Sequence, residues 1–386
     1  MLRILFCSHY TGLGGGETSL LGLMGCLRER GCSPVLLCPR DGQLPESARQ
    51  INIPTALTPY RGATAWFLPS LWECLPATRR INRIIHDLQP DVVHSDFHTL
   101  PFVAPVCRQH GIPLVFTCYG WWFRPKPWQR AFFRRDPTLT LAISEAVKAG
   151  FLGPSPFMPP DRVRTLYLGI DTNRFRPRPD LKTSIRQEIG LPLEAPIVVL
   201  VGRYQDVKGH RIFLKAARRI VERNPGVCFA VAGENVFGGR REEKLKLSIH
   251  AEVTSDSLLR DRVRFLGWTA EVERLLAAAD VLVCSSWFES FGLALTEAMA
   301  CGIPVVSTNR GGPAETVIDG ETGYLTPPGR DDLIADRTLQ LLGDADLRRK
   351  MGEAGRLRVC RLFSLERYGC EFERLIRALI RQDQQA

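Results

Sequence analysis

No run of about 18 apolar residues occurs in this 386-residue chain, so no membrane-spanning helix is expected. The apolar stretch at residues 1–7 is too short for a signal-peptide core and runs straight into a glycine-rich turn, so secretion is not expected. The 12 cysteines contain no CxxC pair, which removes the spacing of zinc ribbons and dithiol redox motifs. Several of them (Cys7, Cys38, Cys228 and Cys284) sit inside apolar runs, as reduced small hydrophobes do in a cytosolic protein. The one DxD string, Asp344-Ala-Asp346, falls between two helical stretches and reads as a turn and cap rather than a metal site.

What is present is a globular balance of 45% hydrophobic and 24% charged residues, at a length that suits two domains. Lys plus Arg number 51 and Asp plus Glu 41, a net charge of +10. The excess is uneven: residues 1–175 hold 19 basic and 12 acidic residues, net +7, and residues 176–386 hold 32 and 29, net +3. A basic first half points to an anionic partner, whether nucleic acid, a phosphorylated substrate or a membrane surface.

Short β-rich runs alternate with helical stretches. Strands are expected at residues 3–7, 34–38, 91–94, 113–117 and 139–143, with helices such as 17–30 and 75–88 between them. The pattern restarts with strands at 197–201, 228–232, 263–266, 281–284 and 305–307. Near-continuous Val/Ile/Leu runs indicate strands covered on both faces, hence parallel sheets with right-handed crossovers. The expectation is two doubly wound α/β domains, residues 1–175 and 176–363, joined through a Pro-rich and charged stretch at 172–196. Residues 364–386 form an amphipathic helix free to pack back across the domains.

In open α/β sheets ligands bind beyond the carboxyl ends of the strands. After residues 197–201 comes Gly202-Arg203-Tyr-Gln-Asp-Val-Lys208-Gly209, two cations beside a helix start, which suits a diphosphate or a solvated loop. After residues 281–284 come Glu289 and, eight residues on, Glu297. A helix opening near Leu293 behind Gly292 would aim its free amides at an anion. Phosphate donors beside acceptor-only carboxylates describe a nucleotide sugar; two surface glutamates are the plain alternative.

Residues 281–315 resemble the signature of the family 4 glycosyltransferases, retaining enzymes of the two-domain GT-B fold. The resemblance rests on Glu289…Glu297, on the Glu-Ala-Met-Ala-Cys-Gly-Ile-Pro-Val-Val run that follows, on Gly311-Gly312-Pro-Ala-Glu315, on Arg203 with Lys208, and on Asp171-Thr-Asn-Arg-Phe175. It implies an α/β GT-B fold with two Rossmann-like domains facing across a cleft. It further implies that Glu297 binds ribose hydroxyls and that Glu289 lies beside the donor sugar. Phe291, Gly292 and Leu293 would contact sugar and phosphate, Arg203 and Lys208 with Gly202 the diphosphate, and Phe265, Leu266 and Gly267 the base. Retention would follow from same-face substitution, with no metal and no cofactor besides the nucleotide-diphosphate sugar, of UDP or GDP type.

In the first half, Thr11-Gly-Leu-Gly14-Gly15-Gly16-Glu17 follows the first strand and opens a helix, a loop that in this family faces diphosphate and acceptor. His94-Ser-Asp96-Phe-His98 is a metal, acceptor-side or structural cluster; strand alternation argues against the first. Two positions depart from the family. Cys118-Tyr119-Gly120 stands where relatives carry a histidine, so Tyr119 takes that place as a hydrogen-bond donor, and Leu168 precedes Gly169 where Asn is usual. Residues 120–135 hold six aromatics, five cations and no acid, a composition for an anionic membrane surface, a lipid-linked acceptor, stacked nucleic acid or aromatic cover of a sheet edge.

The expected function is sugar transfer to a glycan or lipid-linked acceptor in cell-surface polysaccharide or glycolipid synthesis. The protein is expected in the cytoplasm, peripheral at the cytoplasmic face of the membrane through residues 121–135, with no nucleic-acid partner. The alternatives are another GT-B enzyme (a nucleotide-sugar epimerase or hydrolase) and a non-catalytic nucleic-acid or membrane-binding protein.

Overall fold

The computed structural model describes residues 1–62, 71–120, 124–235 and 239–383, with residues 71–74 and 383 as backbone only. The chain divides into two units, Met1–Gly169 with Leu365–Ala386, and Ile170–Ser364.

The first unit is built on seven parallel strands: β1 Arg3–Cys7, β2 Ser33–Cys38, β3 Thr55–Leu57, β4 Val92–Ser95, β5 Leu114–Cys118, β6 Leu139–Ala142 and β7 Val163–Thr165. Their order is β3-β2-β1-β4-β5-β6-β7. The apolar runs read from the sequence are the strands covered on both faces; β4 and β5 are buried at every residue. The short strands β3 and β7 carry no such run.

The C-terminal helix Leu365–Asp383 completes this unit. Phe372 is buried with its ring centroid 5.9 Å from that of Phe6 on β1, and Glu373 accepts from Arg30 at 2.8 Å. Gly22, on the helix Gly15–Glu29, leaves room for Leu365: a Cβ there would lie 3.3 Å from the leucine Cδ1.

The second unit has six parallel strands: β8 Ile197–Val201, β9 Cys228–Ala232, β10 Val263–Gly267, β11 Val281–Cys284, β12 Val305–Thr308 and β13 Tyr324–Thr326, in the order β10-β9-β8-β11-β12-β13. The helix His210–Arg223 buries Phe213, Leu214, Ala217, Ile220 and Val221, one face at helical spacing, against Val198, Phe229 and Val231. Each large apolar side chain so buried contributes about 1.5–3 kcal/mol.

The unit starts at Ile170, not at the expected 176, because residues 170–175 are held by it. The Ile170 amide donates to Phe363 O at 2.8 Å, Arg174 pairs with Glu273 at 2.7 Å and Arg356 donates to Phe175 O at 3.2 Å. The foot of the sheet is tied by Asp280, which accepts from Lys182 at 2.7 Å, Arg186 at 2.8 Å and the Ile197 amide at 2.8 Å. Among the described residues no helix is long and apolar enough to cross a membrane.

In each sheet the strand order reverses beside its first strand, at β1/β4 and at β8/β11. Loops leaving neighbouring strands part there to opposite sides and open a crevice.

Candidate functional site

At the β8 end, the Gly202 amide still pairs with Ala232 O at 2.9 Å before the chain leaves the sheet. Arg203 follows, half-buried. A short turn, Asp206–Lys208, leads to Gly209 in the left-handed region (φ 67°), where the helix His210–Arg223 starts. The Lys208 stem lies over Gly202, its Cδ 3.7 Å from where a Cβ would be.

The loop after β11 docks against this turn. The Trp287 amide donates to Val207 O at 2.7 Å and Ser285 Oγ to Gly209 O at 2.9 Å. Its far side is held by the loop after β12: the Glu289 amide donates to Arg310 O at 3.2 Å and the Gly312 amide to Glu289 O at 2.9 Å. That approach is close enough that a Cβ on Gly311 (φ 91°) would sit 2.0 Å from Glu289 O. The backbone of Glu289 is thus fixed from both sides, and its side chain meets Lys208: Nζ to Oε1 is 2.6 Å, both groups mostly buried.

Phe291 is buried in an edge-to-face pair with Phe363, ring centroids 5.7 Å apart, and Gly292 turns the chain at φ 94° into the helix Leu293–Ala300. Thr296 makes the first helical bond, to Gly292 O at 3.1 Å, so the amides of the first turn have no carbonyl within the helix. Glu297 lies on this helix, half-buried. Burial raises its carboxyl to about 7; Arg174 works against the rise and Glu273 adds to it. Arg174 is therefore part of the site's electrostatics, a role its place in the 171–175 motif did not disclose.

The strand β10 ends in a register shift between Phe265 and Gly267, leaving Phe265, Leu266 and Gly267 half-buried. His250 stacks on Phe265 at 3.8 Å, and the Tyr204 hydroxyl lies 3.0 Å from its Nε2. Neither His250 nor Tyr204 was visible as a site neighbour in sequence, because the contact crosses from one helix to two strand ends.

In the first unit the glycine-rich loop caps the helix Gly15–Glu29, with Glu17 reaching back to the Gly14 amide at 3.1 Å. Gly15 is exposed, and Gly16 faces Tyr119, a Cβ there lying 3.7 Å from the ring. Burial, with Tyr368, Glu17 and Asp96 nearby, holds the Tyr119 phenol well above its usual pKa, so it stays a hydrogen-bond donor at neutral pH.

The His94, Asp96 and His98 side chains separate. His94 is buried, lowered by burial to about 3 and bonded to Thr117 at 2.7 Å. Asp96 accepts from the His9 and Thr99 amides at 2.6 and 2.7 Å. His98 meets the Tyr10 hydroxyl at 2.9 Å. Among the described residues no group of three or more His, Cys, Asp or Glu is placed to hold a metal ion. The DxD string is a helix cap: Asp344 accepts from the Leu347 amide at 2.9 Å.

Trp121 and Trp122 lie outside the described residues. The helix Pro127–Arg135 buries Phe133 and leaves Trp128 48% exposed. Arg130 and Arg134 donate to the Pro125 and Phe157 carbonyls at 3.2 and 2.6 Å, and Arg135 pairs with Asp136 at 2.8 Å.

Residues 13–174 match the model of the family described as Glycosyltransferase Family 4, and residues 182–358 that of Glycosyl transferases group 1. The chain belongs to this glycosyltransferase family. It is 33% identical over 221 residues to N-acetyl-alpha-D-glucosaminyl L-malate synthase of Bacillus anthracis, 57% of this chain and 55% of that protein. It is 30% identical over 299 residues to D-inositol 3-phosphate glycosyltransferase of Salinispora arenicola, 72% of this chain and 66% of that protein. The chain spans about half the length of most curated relatives it matches.

Among solved structures, Anabaena HepE in complex with UDP and glucose superposes with a TM-score of 0.83 at 23% identity, covering 97% of this chain and 99% of that one. A glycosyltransferase from Rickettsia africae superposes with a TM-score of 0.86 at 19% identity, covering 98% of each. The fold is GT-B, with two doubly wound Rossmann-like units.

Proposed function

We propose that the chain is a retaining glycosyltransferase that moves a sugar from a nucleoside-diphosphate donor to a glycan or lipid-linked acceptor, in cell-surface polysaccharide or glycolipid synthesis. The observation that carries the reading is at the β8/β11 switch point, where Lys208 and Glu289 meet at 2.6 Å within one loop of the helix start at Gly292. A cation, a carboxylate and free amides together answer the two halves of a sugar diphosphate. The UDP and UDP-glucose bound to Anabaena HepE favour a UDP-type donor over a GDP-type one.

Departure of the diphosphate builds negative charge on its oxygens and positive charge on the sugar. Arg203, Lys208 and the amides behind Gly292 oppose the first as it grows; preorganised donors of this kind are worth roughly 10²–10³ in rate each. They supply the countercharge without a metal ion or other cofactor. Glu289 lies beside the donor sugar and Glu297 accepts from the ribose hydroxyls, with the base near Leu266.

The C1–O bond to the diphosphate breaks, and the acceptor oxygen bonds to C1 on the same face. The acceptor proton passes to a departing phosphate oxygen. Tyr119 serves the acceptor side as a neutral hydrogen-bond donor, and the loop of Gly15 and Gly16 contacts the donor diphosphate. Trp128 and the cations of residues 124–135 rest on an anionic lipid surface at the cytoplasmic face of the membrane.

Thermal-shift and transfer assays with UDP, GDP and ADP sugars test this reading. A ligand at about 100 times its Kd stabilises by roughly 2.7 kcal/mol. The result expected is stabilisation by one nucleotide class, with sugar appearing on an acceptor in EDTA and with the anomeric configuration kept. Sugar released only onto water, or no class recognised, overturns it.

A further inference from the structure

We propose that Ser286 is the positioning residue for Glu289. The inference rests on the reading above, in which Glu289 contacts the donor sugar.

Three donors converge on one oxygen of Glu289. Oε1 accepts from Lys208 Nζ at 2.6 Å, from Ser286 Oγ at 2.8 Å and from Cys284 Sγ at 3.7 Å. All three lie on the shared rim of β8 and β11, so Oε1 is turned into the protein and Oε2 is the oxygen left for a ligand.

The three donors are not equivalent. The lysine ammonium is the group a diphosphate would draw, because a flexible stem carries its charge and a phosphate competes for it. The thiol is long and weak as a donor. Only the serine hydroxyl is both short and fixed. Ser286 is buried, its carbonyl accepts from Thr308 Oγ1 at 2.7 Å, and its hydroxyl is approached by Cys284 Sγ at 3.4 Å. When Lys208 turns to the diphosphate, Ser286 is what keeps Oε1 turned inward and Oε2 presented.

The backbone cannot do this in its place. Its bonds to Arg310 and Gly312 fix the Glu289 Cα and leave the side-chain torsions free. A carboxylate off its productive position by about 1 Å loses rate steeply.

The experiment uses the full chain and the donor selected by the sugar-nucleotide panel, with UDP, GDP and ADP as the sugar-free probes. Ser286→Ala is expected to lower kcat about 10–100-fold, the scale of one hydrogen bond to a charged group. Its affinity for the free nucleoside diphosphate and its melting temperature stay near those of the parent. Ser286→Thr, which keeps the hydroxyl, restores most of kcat. In a Glu289→Ala background, which removes the accepting oxygen, adding Ser286→Ala lowers kcat little further, because the partner is already gone.

An unchanged kcat in folded Ser286→Ala overturns the proposal. So does a loss that repeats in full in the Glu289→Ala background. If Glu289→Ala itself transfers at the parental rate, the reading of Glu289 as a donor contact fails instead, and the two failures are distinguishable.

Discussion

Gly209 has no room for a side chain because the carbonyl oxygen of Ser285 stands against it: a Cβ there would come within 2.1 Å of that oxygen. This contact joins the loops that carry Lys208 and Glu289, and the left-handed backbone at Gly209 (φ 67°) makes it doubly specific to glycine.

Gly209→Ala therefore strains the junction itself. The expected outcome is a stability loss of about 1–3 kcal/mol in urea unfolding. Nucleoside-diphosphate affinity, read by calorimetry, falls as well, because Lys208 is the preceding residue. A variant with parental stability and affinity would refute the coupling of the two loops.

Lys208→Ala leaves Glu289 without its cation and a diphosphate without one of its donors. A 10–100-fold rise in the nucleoside-diphosphate Kd is expected, the scale of one charge-assisted hydrogen bond. Free nucleoside gauges the control: its Kd should hardly move. Equal losses for both ligands would place Lys208 elsewhere than at the phosphates.

Glu297 gives the site a pH dependence with a definite sign. Its folded carboxyl is raised from 4.5 to about 7, chiefly by burial, so the folded chain binds a proton that the unfolded chain has lost between those values. Stability from this group thus falls as pH rises from about 4.5 to about 7, by an amount on the order of 2–3 kcal/mol. Glu297→Gln should flatten that slope in unfolding experiments. Nucleoside-diphosphate affinity runs the other way: ionised Glu297 is the better acceptor for hydroxyls, so affinity rises through pH 7 in the parent and not in the variant. A parental affinity that does not vary from pH 5.5 to 8 would remove Glu297 from the ribose.

Asp280 is the stability counterpart. Burial opposes its charge, but Lys182, the Ile197 amide and Arg186 outweigh burial and hold the carboxyl below its usual range. Its contribution is present above the unfolded pKa near 3.9 and is lost as pH falls through the lower folded value. Asp280→Ala strands the buried Arg186 guanidinium and is expected to cost about 3–5 kcal/mol at pH 7, measured by denaturant unfolding. An effect under about 1 kcal/mol would mean that the arginine finds other partners.

The elements most legible in sequence were those with an unbroken apolar run, such as 197–201 and 281–284, whose ends match β8 and β11. The strands β3, β7 and β13 are three residues each, too short to declare a period, and their place in the sheets comes from pairing with neighbours. At the site, residue type and spacing singled out Lys208, Glu289 and Gly292. They were silent on Ser286, Arg174 and His250, whose importance comes from contacts that spacing does not encode: a hydroxyl three residues before its carboxylate, an arginine over 100 residues from Glu297, a ring stacked across strand ends. Gly209 and Gly311 were readable as glycines, but the carbonyls that exclude any other residue there were not.

The helix Leu365–Asp383 carries a kinetic consequence. It buries Phe372 and Glu373 against β1 and the end of the helix Gly15–Glu29, so a unit whose other strands lie within residues 3–165 cannot close its interior until a segment about 200 residues further along the chain has left the ribosome. Nascent chains stalled before residue 365 should hold an unfinished amino-terminal unit, exposed to proteases and chaperones however long they wait.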